Sequence, residues 1–328
     1  MKIGFCCKLM EVDSNNRATN VEACNFKATT VKWLRDNPTK AEERLWAIVK
    51  HNVAAVGNLI EAVASMPERA RMVRIGSDML PMYTHDDYQW FWSDSTVWQY
   101  VSTHLATAGQ VARNAGIRLS MHPGQFTVLA SESDAIVANS VREFEYHVDI
   151  AKWMGYCAQF QDFKINVHLT GKGGVDKFRR TFASLSPEAR SCITIENDEY
   201  SSGLDTVLGI ADLCPIVLDI HHHLINTGEY IAVDDPRISQ VADSWRGVRP
   251  VIHYSQSDWM YLSKFADVLP SYQDLLTVAN RSQLRAHSRY YYHTKTNDWA
   301  LTHLQWADVQ SECKAKNLAA AELIALVS

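Results

Sequence analysis

The sequence predicts an α/β protein folded as a (β/α)8 TIM barrel with a metal cluster at its C-terminal mouth, and three observations predict it. Eight short apolar runs alternate with longer amphipathic stretches, the mark of βαβ units on a parallel sheet. Run after run ends on a residue type that binds metals. No glycine-rich phosphate fingerprint follows the first run, which disfavours the open doubly wound sheet.

In chain order the strand runs are Lys2–Cys7, Met72–Ile75, Ile117–Met121, Ile165–His168, Cys192–Glu196, Ile216–Asp219, Pro250–His253 and Asp308–Glu312. Pro250 is acceptable because a first strand residue need not donate to the ladder. Helical spacing appears in Glu42–Met66, Trp98–Asn114, Ala135–Met154 and Lys177–Leu185, and Leu318–Val327 closes the chain. Gly171–Gly174 has neither P-loop nor dinucleotide spacing and reads as a flexible loop. With no repeat or low-complexity tract, the expectation is one barrel domain over residues 1–328.

Composition narrows the classes. Hydrophobic residues at 47% and charged residues at 21% exclude a disordered or collagen-like chain. A formal net charge of -5 excludes a uniformly basic coat but leaves room for a local basic groove. No apolar stretch approaches the roughly 20 residues of a membrane helix, and the N-terminal run turns polar at Glu11, unlike a signal peptide. The seven cysteines show no zinc-ribbon spacing; Cys192 and Cys214, in apolar runs, read as small core residues, and the chain as a protein of a reducing cytoplasm. The thirteen histidines point to metal or acid–base chemistry.

Those histidines cluster where a barrel builds its site. His122, His168, Glu196, Asp219, His253 and Glu312 close their runs, His222 lies just beyond Asp219, and His85 follows the second run. In a barrel these ends converge on one mouth. Asp219 and His222 would face opposite ways in one strand, so the strand must stop near Asp219. Any one such residue is commonly structural. Burying so many without a cation, however, would cost about 1–3 kcal/mol for each unpaired group. A histidine-rich set with three carboxylates suits Zn²⁺, Mn²⁺ or Fe²⁺ better than Ca²⁺ or Mg²⁺, and its size calls for two or three ions. Ions about 3.5–4 Å apart are a standard device for phosphodiester hydrolysis, one generating hydroxide while others hold the phosphate.

The same segments carry a family resemblance. Met121-His122-Pro-Gly-Gln125-Phe126, Val167-His168-Leu169, Ile195-Glu196-Asn-Asp198, Leu218-Asp219-Ile-His-His222-His223 and Ile252-His253-Tyr-Ser255 resemble motifs of the UV damage endonucleases. So do Arg74 to Pro81 with His85, Glu145-Tyr-His147, Ala286-His287 and Ser311-Glu312 to Lys316, in the same order along essentially the whole chain. The resemblance implies a TIM barrel that nicks damaged double-stranded DNA 5′ to ultraviolet photoproducts, using divalent metals, typically manganese. It implies His85, His122, His168, Glu196, Asp219, His222, His253 and Glu312 as ligands, with Glu196 and Glu312 catalytic through a metal-bound hydroxide. Gln125 and Phe126 become the wedge that enters the duplex at the lesion.

Four positions depart from the family pattern. Val251 stands where a lysine is usual, Phe126 and Phe5 replace tyrosines, and Leu9 replaces an asparagine. Lys172, Lys177, Arg179 and Arg180 after His168, and Arg281, Arg285 and Arg289 around His287, are candidate phosphate contacts or solvated helix faces. Tyr88, Trp90 and Trp92 either stack on bases or fill the core. The expected partner is DNA bound by a monomer, with no membrane. A sugar isomerase or epimerase, an abasic-site endonuclease and a noncatalytic DNA binder are the competing readings.

Overall fold

The computed structural model describes residues 1–327. Eight parallel strands form the cylinder: β1 (Ile3–Cys7), β2 (Met72–Ile75), β3 (Arg118–Met121), β4 (Lys164–His168), β5 (Ile193–Glu196), β6 (Ile216–Val217), β7 (Val251–Tyr254) and β8 (Asp308–Ser311). Their hydrogen-bonded order is β6-β5-β4-β3-β2-β1-β8-β7, so each strand lies beside its neighbour in sequence. The seam between β6 and β7 is closed by one parallel bridge, Asp219 to His253, where the His253 N–H donates to the Leu218 carbonyl at 3.0 Å. The expected barrel is therefore present, with strand ends within two residues of the apolar runs. A small antiparallel hairpin, Met10–Val12 with Ala18–Asn20, was not anticipated. Its strands are three residues each, too short to show a period.

The helices follow the apolar spacing. α1 (Ala41–Ala64) buries Leu45, Ile48, Val49, Val53, Val56, Leu59, Ile60 and Val63 at three- and four-residue intervals against the barrel. α2 (Ser95–Asn114) and α3 (Asp134–Trp153) start on the caps Asp94 and Ser133, whose side chains accept a backbone N–H. α4 (Gly174–Ser184) follows the glycine loop. That loop is packed rather than open: a side chain at Gly171 would lie 2.4 Å from the Ala130 carbonyl, and the Gly173 N–H donates to the same residue at 2.9 Å. Cys192 and Cys214 are buried free thiols. Among the described residues, no helix is long and apolar enough to cross a membrane.

Register decides where the functional side chains meet. Four strands carry polar residues at alternate positions: Arg118 and Ser120 lead to His122, Lys164 and Asn166 to His168, Thr194 to Glu196, and Asp308 and Gln310 to Glu312. Contacts across the cylinder, Lys164 to His253 and Arg118 to Asp308, show that these positions face its interior. At the opposite end from the mouth, Asp308 accepts from Arg118 at 2.9 Å, Arg249 at 2.8 Å and the Lys2 N–H at 2.8 Å.

Candidate metal centre

Adjacent register places His168 beside Glu196 and Asp219 beside His253. Between them the strand β6 stops after two residues, and α5 (Ile220–Thr227) begins with Asp219 as its cap. Oδ1 of Asp219 accepts the His222 N–H at 2.7 Å, so one turn of helix swings His222 back onto the same site. The anticipated break at Asp219 is thus how both residues reach one mouth.

Seven of the eight expected ligands fall into three overlapping groups: His122, His168 and Glu196; Glu196, Asp219 and His222; Asp219, His253 and Glu312. Glu196 is the hub. Its carboxylate lies 3.5 Å from His122 Nε2, 3.8 Å from His168 Nε2, 3.7 Å from His222 Nδ1 and 2.9 Å from His253 Nδ1. Glu312 Oε1 lies 3.4 Å from His253 Nδ1. The donor set fits divalent transition ions by a further sign. Asp219 Oδ2 and His168 Nδ1 are buried with no hydrogen-bond partner, an arrangement that costs free energy unless something else satisfies it.

The electrostatics are divided. Burial alone would raise the Glu196 carboxyl, but His253 and His168, with hydrogen bonds from His122 and His253, hold it well below the usual range. Glu312 is likewise depressed despite burial, chiefly by the Arg74 guanidinium paired with it. Asp219 goes the other way. Burial pushes it up to about 8, against the pull of His222 and with help from Glu196 and Glu312. His222 rises to about 9 because Asp219, Glu196 and Glu199 outweigh its burial. His253 falls to about 4 because burial disfavours its cation.

Around this centre the other expected residues separate. His287 reaches it, with Nδ1 3.1 Å from the Glu312 carbonyl. His85 does not join the three groups. It caps the short turn Asp86–Tyr88, with Nδ1 accepting the Asp87 N–H at 3.2 Å, ten residues beyond the end of β2. There it lines a surface cleft of about 570 Å³ with Phe126, Gly124, Asn139 and Arg142. Gln125 is exposed, and Phe126 is 85% exposed. Lys172 is exposed on the glycine loop, whereas Arg179 is held by Asp212 at 2.7 Å and the Gly209 carbonyl at 2.6 Å, both ahead of β6 and away from the mouth. Lys177 pairs with Asp134 at 2.5 Å. Tyr88 and Trp92 fill the core, while Trp90 is exposed.

Several residues at the centre escaped the sequence reading. Lys164 enters from β4 with Nζ 2.9 Å from His253 Nε2, and burial lowers its ammonium to about 7 against the pull of Glu196. Val251, where the family pattern has lysine, instead packs with Met72, Val217 and Trp245. Asn166 donates to Glu196 and accepts from Thr194 at 2.8 Å, holding the hub carboxylate. Arg74 grips Glu312, and Glu199 lies beside His222. The signal available for Lys164 and Asn166 was that they precede His168 by four and two residues, on the same face of a strand otherwise apolar.

Fold and site together define a TIM barrel whose mouth gathers three groups of side chains that could hold metal ions. Comparison with known proteins narrows that class. Residues 1–328 match the family described as UV-endonuclease UvdE, and the chain belongs to that family. It is 30% identical over 198 residues to the UV-damage endonuclease of Schizosaccharomyces pombe, a match covering 56% of this chain and 32% of that one. Identity to the UV DNA damage endonuclease of Bacillus velezensis is 25% over 241 residues, 70% of this chain and 72% of the relative. The chain therefore spans about a third of the fungal relative's length and most of the bacterial one's. The crystal structure of SacUVDE superposes with a TM-score of 0.75 at 22% identity, covering 100% of this chain and 98% of that one, and shares the fold.

Proposed function

We propose that this chain is a metal-dependent DNA repair endonuclease that nicks damaged duplex DNA by phosphodiester hydrolysis, 5′ to ultraviolet photoproducts. The observation that carries the proposal is the overlap of three ligand groups on Glu196 and Asp219 at the barrel mouth. Two or three divalent ions would sit there, manganese foremost, with zinc or iron compatible with the same donors. His122, His168, His222, His253, Glu196, Asp219 and Glu312 would hold them. Bound divalent cations supply Lewis-acid activation of water and neutralise charge on the phosphate.

The chain's own groups then have distinct tasks. Asn166 orients Glu196 by a hydrogen bond, and Arg74 keeps Glu312 ionised and in place. Such support is what keeps a reacting group within the narrow range of productive geometry. Phe126, standing clear of the surface, would enter the duplex with Gln125 where damage has weakened stacking. A phenyl ring retains the stacking face but donates no hydrogen bond, so recognition would rest on duplex deformability. His287 and Lys172 would contact the backbone, and Arg179, tied to Asp212, would contribute least. The proposal also takes the chain to act as a monomer and as one barrel domain.

The deciding experiment incubates purified protein and Mn²⁺ with end-labelled duplexes that are undamaged, irradiated or abasic. Incision of the irradiated duplex on the 5′ side of the lesion, lost in chelator, is the expected result. Preference for the abasic duplex would move the assignment to an abasic-site endonuclease, and no incision of any duplex would end it.

A further inference from the structure

Glu199 belongs to none of the three ligand groups, yet it touches one of their histidines. We infer that Glu199 is the positioning residue of His222, locked in that role by Arg285 and Arg281; the inference rests on the metal reading above. His222 turns its two ring nitrogens to opposite sides. Nδ1 lies 3.7 Å from Glu196 and 3.8 Å from Asp219 Oδ2, while Nε2 lies 3.7 Å from Glu199 Oε2. An imidazole that ligates through Nδ1 keeps its proton on Nε2, and that N–H needs an acceptor to fix ring and tautomer. The Asn197 carbonyl, 3.3 Å from Nδ1, is beside the wrong nitrogen. Glu199 is beside the right one. Its distance is in ion-pair rather than hydrogen-bond range, so ligation is expected to draw ring and carboxylate about 1 Å closer.

Glu199 is not free to leave. Its Oε1 accepts from the Arg285 guanidinium at 2.5 Å. Its backbone carbonyl accepts from Arg281 and from Asn226 Nδ2, the latter at 3.1 Å. Both guanidiniums lie against the Tyr200 ring, 4.9 and 5.3 Å from its centroid. Beneath them the turn is wound on Asp198, which accepts the Tyr200 N–H at 2.7 Å and the Ser201 N–H at 2.5 Å. With its side chain only 12% exposed, Glu199 meets His222 out of bulk water, where a charge-assisted hydrogen bond is strong. A line of contacts thus runs from half-exposed Arg285 through Glu199 and His222 to the shared carboxylates.

The test compares Glu199→Ala, Glu199→Gln and Arg285→Ala with the parent by calorimetric titration with Mn²⁺ at fixed pH. The d–d absorption of Co²⁺ reports ligand geometry, and thermal melting in chelator reports folding. Glu199→Ala is expected to weaken one ion's binding about 10–100-fold and to shift the Co²⁺ bands. Glu199→Gln keeps a carbonyl oxygen for Nε2–H and should recover most of the affinity; Arg285→Ala should cost several-fold. If instead Gln is as harmful as Ala to melting while metal affinity and Co²⁺ bands stay parental, Glu199 is only an ion-pair partner of Arg285 and the inference is overturned. A parent that binds no divalent cation would bring down the metal reading itself, an outcome distinct from unchanged affinity in the variants.

Discussion

The barrel buries carboxylates at both ends and treats them in opposite ways. At the N-terminal end Asp308 is saturated, with two guanidiniums and a backbone N–H on one carboxylate, and the surroundings are the apolar residues Met72, Val217, Trp245 and Val251. At the mouth Asp219 keeps one oxygen without a partner, its proton held up to about 8, and Glu196 is ringed by four histidines. The same residue type therefore serves two ends. Where partners are complete, the charge contributes to holding the cylinder; where they are incomplete, the protein keeps a deficit that a cation would remove. This is the division between stability and chemistry expected of the two faces of such a barrel.

Substitution at each end should break the comparison most visibly. Glu196→Gln is expected to lower incision of irradiated duplex by at least about 10³-fold, with melting in chelator unchanged or raised. Asp308→Ala should do the reverse: it takes the carboxylate away from the half-buried Arg118 and Arg249, which keep only backbone carbonyls, and costs about 1–3 kcal/mol in denaturant unfolding, while the folded fraction keeps its activity per molecule. If both variants lose stability and activity together, the two ends are not separate.

Metal addition sharpens the contrast. At about 100 times its dissociation constant, one ion should add about 2.7 kcal/mol, seen as a rise of roughly 5 °C in melting. The gain should persist in Asp308→Ala and vanish in Glu196→Gln. Equal gains in both would place the ions elsewhere.

The pH dependence follows from the raised groups. Asp219 and His222, pushed up to about 8 and about 9, hold protons at neutral pH that a ligating metal must displace. Metal affinity should therefore rise with pH, about tenfold per unit for each proton displaced, and flatten once pH exceeds the higher value. Calorimetry in buffers of different ionisation enthalpy counts those protons, and a pH-independent affinity would contradict the assignment. The smallest effect is expected at the rim. Phe126→Ala should lower incision of damaged duplex by the loss of about 1–3 kcal/mol of stacking, with metal content and stability unaltered. Unchanged incision would make that loop a plain barrel turn.

How much of this was legible depended on whether a signal was local. Every barrel strand fell within two residues of a run read from the sequence, because the positions that face the helices are apolar even where the inward-facing ones are polar. Seven of the candidate ligands come together at the mouth because each lies at or just beyond the end of such a run. What stayed hidden depends on which strand faces which across the cylinder. Lys164 beside His253, Arg74 on Glu312 and Arg118 on Asp308 are separated by 89, 238 and 190 residues, and only the closed barrel brings them together. His85 lies apart from the three groups for a different reason. Its motif spacing was readable, but it sits in a long loop whose path no strand dictates, and the loop carries it to the Phe126 cleft.

The seam between β6 and β7 gives the site a mechanical side. Elsewhere the cylinder is stitched by continuous ladders; here a single bridge joins Asp219 to His253, and those two residues, with Glu312, also form one ligand group. A cation held by that trio would act as a rivet across the weakest joint of the wall. Loading the site should then slow amide hydrogen exchange at His253 more than at the equivalent amides of β4 and β5, whose ladders need no such fastening. Equal protection with and without metal would mean the joint holds unaided; selective slowing would mean that the chemistry and the closure of the barrel share one fastening.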